Sequence, residues 1–181
     1  MFRRFMEERL RKGPILKKLR EQMFKASTKI IDPAGLDSSL RSDIEGCKSH
    51  IVIFSPFLNL TRVKLFLSTP KGVVDALKRG VKVVVVTRPA VKKWVGDPDE
   101  HRECIKALTE AGIKVVEIEA LHFKAVIIDD EIVYLGSINI LSLLPIEYYP
   151  PDYMVRFESE ALTDEIIENV IGRKKYEEII G

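Results

Sequence analysis

Amide side chains are almost missing from this chain of 181 residues: Gln22, Asn59, Asn139 and Asn169 are the full set. Lys and Glu abound instead, a bias expected of a thermophilic source, where charged pairs desolvate more cheaply and amides degrade. Cysteine is equally scarce. Cys47 and Cys104 lie far apart and form no CxxC, so nothing supports a disulfide framework. The three histidines, His50, His101 and His122, show no zinc-site spacing with them; His101 and Cys104 at i, i+3 are too few, so no metal is expected. Long hydrophobic runs are absent as well. IVIF and VKVVVV are strand-sized, far short of a bilayer span, so no integral membrane association is expected. The opening MFRRFMEERLRKG is charged throughout and lacks an apolar h-region, which argues against a signal peptide and makes cytoplasmic the default location.

What is present reads as globular, with 46% hydrophobic and 31% charged residues, enough for one domain with a sizeable core. The net charge of +2 is unevenly spread. Residues 1–28 carry nine Lys/Arg against three acids, and Arg62 to Lys93 hold nine more against Asp75 alone. Such basic stripes are either solvated helix faces or tracks for a polyanion.

Residues 2–27 have helical apolar spacing broken at Gly13-Pro14, with one face apolar and the other basic. Packing on the core or on a second subunit is favoured for it over contact with nucleic acid or an acidic membrane surface. Beyond residue 33 helices and strands alternate. Asp37 or Ser38 is expected to cap a helix through Cys47, followed by strand 50–54, a helix over 62–79 and strand 81–87. A helix from Asp97 or Asp99 to Gly112, strand 113–119, a hairpin of 122–129 with 132–138, strand 153–158 and a helix over 160–179 complete the chain. Continuous apolar strands between helices imply an α/β sandwich whose mixed, mostly parallel central sheet is covered by helices on both faces.

The chemistry concentrates in LHFKAVIIDDEIVYLGSINI. His122-x-Lys124 is followed after four residues by Asp129 and after six more by Gly136-Ser137-x-Asn139. Six fixed positions recur by chance roughly once in tens of millions of starts, so the pattern is specific. Alternation along a strand puts His122 and Lys124 on one face, and the hairpin returns Ser137 and Asn139 beside them. Lys124 and Asn139 suit the non-bridging oxygens of a phosphodiester, and Gly136 permits close backbone approach. Asp129 has the opposite parity and is expected to brace the hairpin or Lys124. An imidazole, unperturbed, titrates near about 6.5 and is largely neutral at pH 7, which suits a nucleophile. The leaving oxygen needs a proton from a second, protonated imidazole. His101 reads as a surface residue of a polar helix start, and His50 as structural. A two-fold homodimer, setting His122 against its own copy, supplies the missing acid.

This stretch closely resembles the HKD signature of the phospholipase D superfamily. HIVIFSPFL and VKVVVVTRP are similar to its first and second conserved strands, and LGSINILS with PDYMVRFES to PLD-like domains standing alone or C-terminal to DNA helicases. The resemblance spans residues 38–170, strongly at 121–142. It implies a phospholipase D-like catalytic domain over 33–181 behind a basic amphipathic helical extension, 1–32. It also implies a phosphohistidine intermediate, no cofactor, and pairing of single-motif subunits. The family's Glu that orients the imidazole is best matched by Asp152, with Glu147 second. Ser55 and Arg88 fall where family sites are lined and are candidates for phosphate contact, although a surface ion pair would equally explain Arg88.

The leading expectation is a metal-independent homodimeric DNA nuclease acting on single-stranded or flexible ends, with a helicase or repair complex as a further partner. A phospholipid hydrolase or phosphatidyl transferase is the first alternative. A weakly catalytic nucleic-acid-binding module of such a complex is the second.

Overall fold

The computed structural model describes residues 28–143 and 151–181. The basic extension up to residue 27 and Glu147 therefore lie outside the described residues. Seven strands form one sheet in the order β1-β7-β6-β5-β2-β3-β4. They are β1 Lys29–Ile31, β2 His50–Phe54, β3 Lys82–Thr87, β4 Lys114–Glu117, β5 Ala125–Ile128, β6 Ile132–Gly136 and β7 Met154–Glu158. Helices α1 Pro33–Gly46, α2 Leu60–Ser68, α3 Val73–Lys78 and α4 Pro98–Glu110 intervene, and α5 Glu160–Ile166 and α6 Arg173–Ile180 follow.

Both faces of the sheet are covered. Ile51 and Ile53 of β2 join Val83, Val85, Val126 and Ile128 in a core closed by α1 to α4. The alternate residues Val52 and Phe54 join Val84, Val86 and Ile127 beneath Ile166, Tyr176 and Ile179 of the C-terminal helices. Burial on both faces is why these strands read as unbroken apolar runs.

The sheet is mixed as expected but not mostly parallel. Only β2–β3 and β3–β4 run parallel. The pairings β1–β7, β2–β5, β5–β6 and β6–β7 are antiparallel. Apolar runs report burial, not strand direction, and the β5–β6 hairpin with its return strand tips the balance. Lys29–Ile31, expected within the helical extension, is instead an edge strand of this sheet.

Caps and breaks also differ from expectation. Asp32, not Asp37 or Ser38, caps α1, its carboxylate accepting from the Gly35 amide at 2.8 Å. The helix expected over 62–79 is two, because Pro70 removes a donor and Lys71 sits at φ 57°. Asn59 caps α2, and Asp97 caps α4. The C-terminal helix is likewise interrupted, by a π-helical turn Ile167–Ile171 and Gly172 at φ 88°. Cys47 and Cys104 are buried free thiols, and burial pushes each up to about 12.

Candidate active site

His122 and Lys124 lie in the extended segment that enters β5, just before the ladder begins at Ala125. The ladder pairs Ala125 with Leu135, and one further step sets Lys124 against Gly136. Ser137 and Asn139 follow directly, so both halves of the motif share one end of the sheet. The strand expected over 122–129 is thus shorter, but the i, i+2 pairing of His122 and Lys124 survives. Lys124 Nζ lies 3.0 Å from His122 Nδ1 and donates to the His122 carbonyl at 2.9 Å. A charged ammonium can only donate, so Nδ1 is the acceptor and a neutral ring carries its proton on Nε2. Burial, and then the positive charge of Arg88, pull the Lys124 pKa below the ordinary lysine value, while Asp152 opposes them.

Asp152 is therefore close enough to act on Lys124, and it accepts a short hydrogen bond from the Ser137 hydroxyl. Its Oδ1 also takes the Tyr153 amide at 2.9 Å. His122 is not among its hydrogen-bond partners, so in this state Asp152 serves Ser137 and Lys124. The Asn139 Oδ1 is buried with no hydrogen-bond partner among the described residues. That atom is an acceptor, so the end of the side chain suited to a phosphate oxygen is the Nδ2 donor.

Two motif positions, and Ser55 outside the motif, support the site rather than line it. Asp129 sits at the far end of β5, about 15 Å along the strand from Lys124 at its ordinary rise. Its carboxylate accepts from the amides of Lys48 (2.8 Å), Ser49 (2.8 Å) and His50 (3.1 Å). Burial would raise its pKa, but these amides hold it below the usual carboxylate value. Asp129 and Asp130 take positive φ of 54° and 56° in the hairpin turn, which short polar side chains tolerate. Asp129 thus ties the hairpin turn to the start of β2, away from Lys124. Gly136 permits close approach to β7: a Cβ there would overlap the Tyr153 carbonyl oxygen and lie 2.9 Å from Met154 Cα. Ser55 is fully buried, donates to Phe57 O at 3.0 Å and accepts the Leu141 amide at 3.1 Å. It pins the segment after Asn139 and is too enclosed to meet phosphate.

Arg88 has no carboxylate partner among the described residues. Its Nε donates to Leu121 O at 2.6 Å and Nη1 to Trp94 O at 3.1 Å, with the guanidinium 4.5 Å over the Phe57 ring. It ties the residue before His122 to the 88–96 loop.

Two more residues depart from their expected roles. Arg62, read as part of a basic stripe, is 2% exposed. It pairs with both oxygens of Asp37 (2.9 and 2.5 Å) and donates to Ile140 O at 2.8 Å, fixing the backbone beside Asn139. His101, read as a surface residue, is 2% exposed, with Nε2 2.9 Å from Arg88 O. Burial lowers its pKa, leaving it neutral. Its spacing with Cys104 and Leu108 on the buried face of α4 is the signal that marks it as interior. His50 lies at the opposite end of the sheet, with Nε2 3.0 Å from Asp130 and 3.2 Å from Tyr176.

Comparison with known proteins bears on the family and the fold. The family described as "Cardiolipin synthase, PLD-like domain" matches residues 40–143, more than half of the chain. The chain belongs to the phospholipase D superfamily. No curated protein sequence matches it significantly. Among solved structures, Nuc from Salmonella typhimurium, a phospholipase D family member, superposes with TM-score 0.61 at 17% identity, covering 84% of this chain and 94% of its own. NucT from Helicobacter pylori gives 0.62 at 18% identity, with 87% and 98% covered. TrmBL2, an archaeal chromatin protein reported to bind DNA, gives 0.52 at 15% identity, with 97% of this chain and 64% of its own covered. At these identities the likeness concerns the fold. Among the described residues, no helix of this phospholipase D-like chain is long and apolar enough to cross a membrane.

Proposed function

We propose that the chain is a metal-independent phosphodiesterase, a DNA nuclease whose active site forms where two copies meet. The observation that carries the reading is the fate of the three histidines. His101 is buried and neutral beneath Arg88, and His50 is engaged with Asp130 and Tyr176 at the far end of the sheet. Only His122 stands beside a lysine ammonium and at the Asn139 end of the sheet, and one imidazole cannot both attack phosphorus and protonate the leaving oxygen. A two-fold axis supplies the second from the partner's copy.

In the proposed cycle, Nε2 of one His122 attacks phosphorus, the P–O bond to the leaving group breaks, and the partner imidazole gives that oxygen its proton. Water then attacks the phosphohistidine, losing its proton to the same partner imidazole, and the P–N bond breaks. Before attack the ring must carry its proton on Nδ1. Lys124 therefore has to leave Nδ1, and phosphate gives its ammonium a better partner. Lys124 and Asn139 stabilise the non-bridging oxygens.

The test is hydrolysis of DNA in excess EDTA by wild-type protein and by His122→Ala. Cleavage by the first and none by the second is expected; equal cleavage by both removes His122 from the chemistry. The family's description favours one second reading, phosphatidyl transfer. Release of a phospholipid headgroup, with no DNA cleavage, would establish it.

A further inference from the structure

The basic stretch from Arg62 to Lys93 divides in three dimensions. Arg62 is consumed by Asp37, Lys71 by Glu45 and Lys78 by Asp75, while Arg79 donates to Ile44 O. Lys64 on α2 and Lys82 at the start of β3 lie elsewhere, while Arg88, Lys92 and Lys93 fall together in the loop between β3 and α4, at the His122 end of the sheet. There the Lys93 ammonium lies 4.6 Å over the ring of a half-buried Trp94, and the flanking Val91 is 47% exposed. Lys92 folds back onto Gly96 O at 2.6 Å. A single guanidinium, that of Arg88, bridges Trp94 O and Leu121 O, so this loop is held against the residue preceding His122. Phe57, 37% exposed, lies under the same guanidinium.

Aromatic rings interleaved with cations are the combination that holds unpaired bases. A ring offers a stacking face to any base, and the cations follow the backbone. In a duplex both faces of a base are already covered by its neighbours, so such a surface selects single strands.

We propose that the 88–96 loop is a single-strand subsite, in which a nucleobase stacks on Trp94 and the adjoining phosphate is met by Lys93, feeding the next phosphodiester towards His122. The proposal rests on the nuclease reading above and gives that site its strand preference. Arg88 acts as the strut that fixes the distance between subsite and nucleophile.

Trp94 is the chain's one tryptophan, so its fluorescence reports on this loop alone. The experiment titrates oligothymidylate, and separately a blunt duplex of the same length, into full-length His122→Ala protein, which binds without cutting. Quenching by the single strand that weakens with salt is expected, with little response to the duplex. By a second readout, anisotropy of labelled oligonucleotide, Trp94→Ala should bind about tenfold more weakly, and Trp94→Phe should recover most of that loss. Binding that leaves Trp94 fluorescence unchanged, or Trp94→Ala binding as tightly as its parent, overturns the subsite. So does a failure to bind oligonucleotide at all. DNA cleavage by wild-type protein with a silent Trp94 rejects the subsite and keeps the nuclease. Quenching without any cleavage keeps the subsite and rejects the hydrolytic reading.

Discussion

Replacing Asp129 separates a motif residue's role in folding from a role in chemistry. Its carboxylate holds the amides of Lys48, Ser49 and His50, and the Cys47 thiol donates to it at 3.3 Å. Hydrogen bonds to a charged acceptor contribute about 1.5–3 kcal/mol each, and two of the amides are exposed enough for water to replace part of that. Asp129→Ala should therefore cost roughly 3 kcal/mol, including about 1 kcal/mol for placing alanine at positive φ. Asp129→Asn, which tolerates that backbone, should cost about half as much. At ~2–4 °C per kcal/mol for a chain of this size, Asp129→Ala should melt roughly 6–12 °C lower. Turnover of the folded protein, measured well below the melt, should stay within about twofold of wild type, because Asp129 lies a strand's length from Lys124. The pH arm has a definite sign. The folded-state pKa of Asp129 is depressed, so its contribution is present above the unfolded value of 3.8 and fades as pH falls through the lower folded value. Asp129→Asn should lose that share of the acid sensitivity. An Asp129→Ala protein with a wild-type melt and no turnover would refute the reasoning and return this carboxylate to the reaction.

Gly136→Ala should lower the melting temperature, since the added methyl meets the Tyr153 carbonyl and forces β6 from β7; overpacking of this kind costs about 1–3 kcal/mol. Arg62→Leu should cut kcat/KM by more than its loss of stability explains, because the Ile140 carbonyl beside Asn139 loses its donor; parallel melts and kinetics at low temperature separate the two effects. The Lys124 pKa is lowered by burial and by Arg88, so the alkaline fall in activity should come at a lower pH than an ordinary lysine gives. Arg88→Gln should shift that limb upward and Asp152→Asn downward, both read from pH–rate profiles.

The motif was legible because its chemistry is local: eighteen residues of one hairpin carry it, and strand alternation with one turn brings them together. The two-sided burial of the sheet was equally plain in VKVVVV and HIVIF. Direction was plain only for the β5–β6 hairpin, because nothing in the apolar run of β2 shows that it pairs parallel with β3 and antiparallel with β5. Arg62 illustrates what a linear charge count misses, because only tertiary contacts reveal that Asp37 and Ile140 consume it. His101 was readable from its i, i+3, i+7 spacing with Cys104 and Leu108, but the polar residues around it hid the signal. Ser55 could be placed near the motif, yet its complete burial against Leu141 depends on how the segment after Asn139 folds back.

The claim that two copies of His122 share one scissile bond is tested most directly by subunit mixing. Wild-type protein and His122→Ala, co-refolded in equal amounts, should cleave DNA with about one quarter of the wild-type specific activity, because only wild-type pairs hold both imidazoles. A value near one half would mean that each subunit works alone, and would contradict the account.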